Sequence, residues 1–336
     1  MLAFQINEFG IDKLAMVEVG DPEPSANEVV VRFDAWSLNY RDVMVVEGRY
    51  NPRMKVPATP LSDGAGEIVA IGEGVSKWQV GQRVMPIMVQ RWFDGEPDAE
   101  SSRTAIGAGA IWDGILREKA AFDENAIVTV PEYLSQTEAA TLPCAALTAW
   151  NALVVSGKLK AGDTVLTLGS GGVSVAALQI AKAMGARVIA TSSSDAKLDK
   201  LRSLGADETI NYREHEQWDT RVMELTNKRG VDHVVEVGGS GTLIRSVNAA
   251  RIGGHVAMIG ALETSGDFDP VRAFMKAIRL QGIFVGSKKM FADMLKAYEA
   301  NKIRPVIDRE FAFEDSRAAF DHMNSGAHFG KIVIKR

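Results

Sequence analysis

The sequence predicts an α/β protein of two domains, a doubly wound parallel sheet preceded by a β-rich, barrel-like domain. Three observations predict this. Residues 1–130 alternate apolar and polar side chains in short runs broken by Gly and Pro, as in "EVVVRFDAWSLN" and "GEIVAIGEGVSKWQVGQRVMPI", a pattern of antiparallel strands. From about residue 145, strand-like runs alternate with helical stretches, the pattern of a parallel sheet. Between the first of those strands and the first helix lies a glycine-rich turn, Gly169-Ser170-Gly171-Gly172-Val173-Ser174.

The elements follow in order. The polar, Gly-rich and aromatic segment 91–113, "RWFDGEPDAESSRTAIGAGAIWD", reads as a long loop, and loops of that length tend to be functional. Strands are expected at 164–168, 187–191, 208–210, 232–237, 255–259 and 281–285. Helices are expected at "SVAALQIAKAMG" and at "DAKLDKLRSLG", where Leu198, Leu201 and Leu204 share one face. Asp195 is the expected N-cap of the second helix. "KMFADMLKAYEANKI" reads as a helix, and the terminal "GKIVIKR" as a strand returning to the first domain.

Composition excludes several classes. The 336 residues carry a net charge of −5, with 46% hydrophobic and 24% charged residues, ordinary for a soluble globular protein. No Lys/Arg block offers a nucleic-acid face. No run approaches the ~18 apolar residues of a membrane span, and the N-terminus lacks the pattern of a signal peptide. A cytoplasmic location is expected. The single cysteine, Cys144, excludes an internal disulfide and a four-cysteine zinc site. The five histidines, 215, 233, 255, 322 and 328, form no ligand pair and read as structural or solvated.

The glycine turn points to a dinucleotide. Gly169 permits the tight turn, Gly171 lets the backbone approach a pyrophosphate, and the following helix N-terminus presents unpaired N–H groups to that anion. Ser174 replaces the third Gly of the usual fingerprint; it is small, and its hydroxyl is free to cap the helix or reach a phosphate. An NAD site has an acidic residue at the end of the second strand, roughly 20 residues on; here that position is Ser192 in "IATSSSDAK". Small hydroxyls with Lys197, Tyr212 and Arg213 suit a 2′-phosphate, so NADP(H) is the expected cofactor, with NAD(H) the alternative.

These motifs, together with "PLSDGAGEIVAIGEGVSKWQVGQRV", "ATLPCAALTAWNAL", "GVDHVVEVGG" and "HFGKIVI", resemble the medium-chain dehydrogenase/reductase superfamily over nearly the full length. The resemblance implies a GroES-like catalytic domain, 1–145 completed by 288–336, and a Rossmann domain, 146–287. It also implies that Thr148 touches the nicotinamide, and that Gly238, Ile259, Gly260, Ala261, Phe284, Val285 and Gly286 wrap the cofactor at the carboxyl ends of the strands. The zinc-ligand positions of that family fall on Asn39, Ser62 and Cys144. An amide, a hydroxyl and one thiol do not make a zinc site, so no zinc is expected. The nearest likeness is to the zinc-free quinone-oxidoreductase, or zeta-crystallin-like, branch, whose motif positions match Asn39, Asp42 and Tyr50 in "LNYRDVMVVEGRY".

Without a metal to stabilise an alkoxide, a substrate that disperses charge itself is favoured. The expected reaction is hydride transfer from NADPH to an enone, quinone or other activated alkene. A zinc-free alcohol or aldehyde dehydrogenase and a non-catalytic NADPH-binding protein are the alternatives. Asn39, Tyr50, Tyr40 and Ser62 are the candidate catalytic residues. Asn39 is read as a hydrogen-bond donor to a substrate carbonyl or the nicotinamide side, and equally as a turn residue. Tyr50 and Tyr40 are read as proton donors, against ordinary packing. Ser62 and Asp63 line the former metal pocket, and Asp42 is structural. Trp92, Phe93 and Trp112 either wall an apolar pocket or pin the 91–113 loop. An exposed "GIFVG" edge at 282–286 would invite pairing across a two-fold, so a homodimer is expected.

Overall fold

A computed structural model describes residues 1–107, 112–260, 262 and 268–336. The chain divides into two compact units, 1–147 with 286–336, and 148–285.

The first unit is built on strands. Leu2–Ile6 (β1) pairs antiparallel with Leu14–Glu18 (β2). The main sheet begins with Glu28–Leu38 (β3), followed by Asp63–Ile71 (β4), Arg83–Pro86 (β5), Lys119–Asp123 (β6) and Ile127–Thr129 (β7). Valines and aromatic residues along β3 favour the extended backbone, and their alternate faces meet the core. Phe33 and Trp36 are fully buried, with Phe33 edge-on to Phe122 at 6.1 Å and Trp36 against Phe313 at 4.9 Å. Each such pair contributes about 1 kcal/mol beyond burial. Trp36 Nε1 donates to the Ile115 carbonyl at 2.6 Å, which satisfies its one buried polar atom.

The second unit is a parallel sheet of six strands. They are Thr164–Thr167 (β8), Arg187–Ser192 (β9), Glu208–Asn211 (β10), Val231–Glu236 (β11), Ala250–Met258 (β12) and Arg279–Gly282 (β13). Their order is β10-β9-β8-β11-β12-β13, which reverses direction between β8 and β11, where ligands bind in open α/β sheets. The central β8 and β11 are buried along their whole length, as expected for strands covered on both faces. The chain then returns to the first unit through Ile307–Ala312 (β14) and Lys331–Lys335 (β15), and β15 pairs antiparallel with β3.

Several expectations are corrected. The last strand of the parallel sheet is Arg279–Gly282 rather than 281–285. Val285 has φ +38, a conformation that a β-branched residue rarely adopts and that no strand can contain. The "GIFVG" segment therefore leaves the sheet, and "RLQG" forms its edge. The fifth strand starts at Ala250, earlier than 255. Ser194, not Asp195, occupies the N-cap of the helix Asp195–Ser203. The 91–113 loop contains a helical turn, Ala99–Ser102, capped by Asp98. No helix of the described residues is long and apolar enough to cross a membrane.

Candidate active site

The β-rich unit holds a buried polar network. It is set up by Leu61, a fully buried non-glycine residue at φ +72. That left-handed backbone costs on the order of 1 kcal/mol, and the Ile115 N–H bonded to its carbonyl at 3.0 Å helps to hold it. The next two residues, Ser62 and Asp63, are fully buried as well. The Asp63 carboxylate accepts the Ser62 hydroxyl at 2.9 Å and the Cys144 backbone N–H at 3.1 Å.

The counter-charge comes from the far end of the chain. Pairing of β15 with β3 sets Ile332 opposite Leu38 and brings the Lys331 ammonium to the Leu38 carbonyl at 2.5 Å and Asn39 Oδ1 at 2.6 Å. Burial raises the Asp63 pKa, while the Lys331 charge and the hydrogen bonds of Asn39, Ser62 and Cys144 pull it back. The Asn39 amide nitrogen is buried and near enough to Asp63 to lower its pKa, and it closes no full hydrogen bond among the described residues. Asn39 also starts the helix Tyr40–Val46, and its N–H donates to the Asp42 carboxylate at 2.7 Å. Burial pushes Asp42 up to about 6 against the pull of the Arg41 charge.

The aromatic candidates occupy different settings. Tyr40 is half-buried and accepts a hydrogen bond from Arg49 at 3.3 Å. Tyr50 is 41% exposed, with the Arg41 guanidinium 5.3 Å from its ring centre. Trp92 is buried; its indole N–H donates to Gly95 at 2.9 Å and its carbonyl accepts the Lys288 N–H. It thus ties the 91–113 segment to the helix Lys288–Asn301. The Phe93 ring is exposed and Trp112 is half-buried.

The donors at the former metal positions do not fit zinc. The Asn39 oxygen is occupied by an ammonium, which would repel a cation. Cys144 is half-buried, and burial together with the Asp63 charge pushes its thiol up to about 12; it is the one thiol at these positions, beside an amide and a hydroxyl. Among the described residues, no group of three or more His, Cys, Asp or Glu side chains is placed to hold a metal ion.

The parallel-sheet unit fits a dinucleotide. Gly169 has φ +72 and a Cβ there would meet nothing within 4 Å, so the glycine serves backbone conformation and leaves the space above the turn open. Gly171 is the N-cap of the helix Gly172–Ala183, whose first N–H groups attract an anion. Ser174 is corrected: its buried hydroxyl donates to the Leu168 carbonyl at 2.6 Å, so it neither caps the helix nor reaches outward. It ties the helix to the end of β8, where the usual glycine allows contact. Ser170 is buried, while Gly172 and Val173 are half-buried.

At the end of β9 the Ser192 side chain is buried and its carbonyl accepts the Tyr212 N–H at 3.1 Å. The accessible hydroxyls beside it are those of Ser193 and Ser194, with Lys197 half-buried on the first turn of the helix. Tyr212 and Arg213 are exposed. The Asp195 carboxylate is engaged by Asn211 at 3.0 Å.

On the opposite side of the switch point, Glu236 accepts the N–H groups of Gly238 and Gly239 at 2.7 and 3.1 Å and the Thr242 hydroxyl at 2.6 Å. The N–H groups of Ile259 and Gly260 donate to its backbone carbonyl, and a Cβ on Gly260 would sit 1.8 Å from the Val237 oxygen. Thr148 is buried. Asn151, buried in the π-helical turn Asn151–Ser156, donates to the Val285 carbonyl at 2.8 Å and so holds the unusual backbone there. Phe284 is half-buried, Val285 and Gly286 are buried, and Ala261 lies outside the described residues. Sequence reading missed Lys331, Asn151 and Glu236. Each had a signal: a lone cation, amide or carboxylate inside an otherwise apolar run.

Comparison with known proteins agrees with this geometry. Residues 25–132 match the alcohol dehydrogenase GroES-like domain, and residues 172–300 the zinc-binding dehydrogenase family. A zinc-type alcohol dehydrogenase-like protein of Schizosaccharomyces pombe is 40% identical over 97% of this chain and 96% of its own. An acryloyl-coenzyme A reductase of Sulfurisphaera tokodaii is 28% identical over 95% of each chain. A quinone oxidoreductase of Rattus norvegicus is 28% identical over 99% of this chain and 97% of its own. The crystal structure of a putative alcohol dehydrogenase from Sinorhizobium meliloti superposes with a TM-score of 0.91 at 37% identity, covering 100% of this chain and 98% of that one. With a GroES-like unit, a Rossmann sheet and relatives of this kind along its whole length, the chain is an oxidoreductase that belongs to the medium-chain dehydrogenase/reductase superfamily.

Proposed function

We propose that this oxidoreductase reduces an alkene conjugated to a carbonyl, or a quinone, with NADPH as hydride donor and without zinc. The observation that carries the reading is the buried polar cluster of Lys331, Asn39, Asp63 and Ser62, in which Lys331 bonds Asn39 and Ser62 bonds Asp63; it sets groups unsuited to zinc at the positions that match the family's zinc ligands. With no Lewis acid to stabilise an alkoxide, the favoured substrate is one whose own π-system spreads the charge. The likeness to an acryloyl-coenzyme A reductase and a quinone oxidoreductase is consistent with such substrates.

The bound cofactor would supply the hydride. Gly169, Ser170, Gly171, Gly172 and Val173 would carry its pyrophosphate at the helix N-terminus, with Thr148, Gly238, Ile259, Gly260, Phe284, Val285 and Gly286 around the remainder. NADPH is preferred over NADH because no carboxylate stands at Ser192, while Lys197, Tyr212 and the exposed Arg213 offer donors to a 2′-phosphate. Asn39, Tyr40 and Tyr50 are the groups assigned to substrate polarisation and protonation. The buried Ser62 acts through Asp63 as a positioning residue.

A homodimer is proposed through the edge strand β13, beside which Ile252, Phe274 and Met275 are 72, 66 and 70% exposed. Apolar side chains of that size beside an unpaired edge need a cover.

The test is loss of nicotinamide absorbance on mixing the purified protein with NADPH or NADH and a panel of enones, quinones and alcohols, with metal content measured on the same sample. Faster NADPH oxidation by enones or quinones in zinc-free protein upholds the proposal. Alcohol oxidation alone, or a stoichiometric zinc ion required for turnover, overturns it. NADPH binding with no turnover on any class moves the reading to a non-catalytic role.

A further inference from the structure

Arg41 carries buried hydrogen-bond donors with no acceptor. Its Nη2 donates to the Ile106 carbonyl, and its guanidinium lies 5.3 Å from the centre of the Tyr50 ring. Nε and Nη1 are buried and have no hydrogen-bond partner among the described residues. No carboxylate of the described residues closes an ion pair with it. Its near neighbour in sequence, Asp42, turns one oxygen to the Asn39 N–H.

An unpaired buried donor is rare and costs on the order of 1–3 kcal/mol, more when it is charged. A lysine would relieve that cost by losing its proton, but a guanidinium keeps its charge. The side chain as a whole is half-buried while Nε and Nη1 are shielded from solvent, so an oxygen reaches these two donors by displacing the groups that cover them. Its field reaches the centre of the polar network, where it lowers the pKa of both Asp42 and Cys144. The arrangement is a fixed cation, anchored at one nitrogen and against one ring, that keeps two nitrogens in reserve for an oxygen.

We infer that Arg41 is the oxyanion-binding residue of this enzyme and donates from those nitrogens to the carbonyl oxygen of the substrate. The inference rests on the reductase reading above. In that reaction the hydride brings an electron pair to the β-carbon, the alkene π pair moves so that charge grows on the carbonyl oxygen, and solvent protonates the α-carbon. NADPH is oxidised, the alkene is reduced, and Arg41 keeps all its protons. Its charge-assisted hydrogen bonds strengthen as the oxygen becomes anionic, which is stabilisation of the transition state over the ground state. Arg41 would thus take the electrophilic part that zinc plays in metal-dependent relatives.

The test uses Arg41→Gln and Arg41→Ala in the full-length protein, with NADPH and 2-cyclohexen-1-one. Removal of one oxyanion donor lowers kcat about 10²–10³-fold in other enzymes; about 10²-fold is expected here, with the NADPH Kd from tryptophan fluorescence unchanged. Added guanidinium ion should restore part of the activity of Arg41→Ala and should not raise that of the wild type. An NADPH Kd weakened as much as kcat would assign Arg41 to a cofactor phosphate. An unchanged kcat with a lowered Tm would make it a strut to Ile106. Either result overturns the inference. Should both variants misfold, Arg41→Lys keeps the cation while losing the planar fork, and a loss of about tenfold in kcat with unchanged NADPH Kd is expected.

A further measurement needs no turnover. Benzoate, a carboxylate with a flat apolar body, should bind the wild-type protein in the presence of NADP⁺ and fail to bind Arg41→Gln. Equal binding by both, or none by the wild type, overturns the assignment. Arg41-dependent benzoate binding in a protein that reduces no enone or quinone would uphold the oxyanion site and overturn the reductase reading.

Discussion

Two buried polar clusters, one in each unit, handle charge by opposite means. In the β-rich unit, Asp42 and Asp63 are held together with Lys331, and the network mixes charges of both signs. In the parallel-sheet unit, His233 and His255 sit side by side on β11 and β12 with ring centres 5.8 Å apart. His233 bonds Asp163 at 3.1 Å and His255 bonds the Ser156 hydroxyl at 3.1 Å, while the Nδ1 atom of each is buried without a hydrogen-bond partner among the described residues. Burial lowers both pKa values, that of His255 to about 4. The first cluster tolerates charge by balancing it; the histidine pair avoids charge through burial. Only the first arrangement places a strong field where a reaction can use it.

The largest effect should come from breaking the balance. Lys331→Met removes the cation that counters Asp63 and its bonds to Leu38 and Asn39, and should destabilise the β-rich unit by about 3 kcal/mol at pH 8. The loss should shrink toward pH 5, because burial already raises the Asp63 pKa and the cation that pulled it back is gone. Denaturant unfolding at the two pH values measures this, and a cost below about 1 kcal/mol would mean that Lys331 does not hold the network. Lys331→Arg keeps the charge and should recover roughly half of the loss.

Acid should next separate the units in opposite directions. His255 has a folded value of about 4 against an ordinary 6.5, so the folded state binds fewer protons between these limits. Its contribution is complete above pH 6.5 and is lost as pH falls through 4, up to about 2–3 kcal/mol. Asp42 has a folded value of about 6 against 3.8. Its neutral form favours the folded state, so this contribution is complete below 3.8 and is lost as pH rises through 6. Because two units need not unfold together, hydrogen exchange resolved by strand is the suitable readout. Amides of β11 and β12 should lose protection between pH 6.5 and 4, and His255→Gln should flatten that loss. A fall of equal size in both units with the variant still steep would remove the contrast.

The smallest effect belongs to Asp42→Asn. The amide oxygen still accepts the Asn39 N–H, so stability at pH 7 should change by less than about 1 kcal/mol, or rise slightly as a buried charge disappears. The same substitution should abolish the pH dependence between 3.8 and 6 in the exchange of β3 amides. A loss above about 2 kcal/mol would show that the Asp42 charge itself supports the network.

Much of the fold was legible because it depends on neighbours in sequence. Alternation of apolar and polar residues marked the strands of the β-rich unit, and the run of strand, glycine turn and helix at 164–183 marked the dinucleotide turn. The gaps at Ser62 and Ser192 were visible for the same reason: each is a missing residue type at a fixed distance from a motif. The boundaries that failed did so through distant contacts. The strand expected at 281–285 stops at Gly282, and Val285, with its φ of +38, bonds Asn151 across 134 residues. Ser174 looked free to meet a phosphate, but packing of the helix on β8 turns its hydroxyl inward.

The sequence by itself determined the fold class, the glycine-rich strand-to-helix turn and the lack of a conventional zinc-ligand set, since each follows from residue type and local spacing. Only the tertiary structure decided the electrostatics of the site. Lys331 reaches Asn39 across 292 residues, and Arg41 keeps its unmet donors because of what Ile106 and Tyr50 leave open. Whether a charge is balanced, neutralised or left available depends on which groups share its low-dielectric surroundings, and distant segments share them only after the strands have paired.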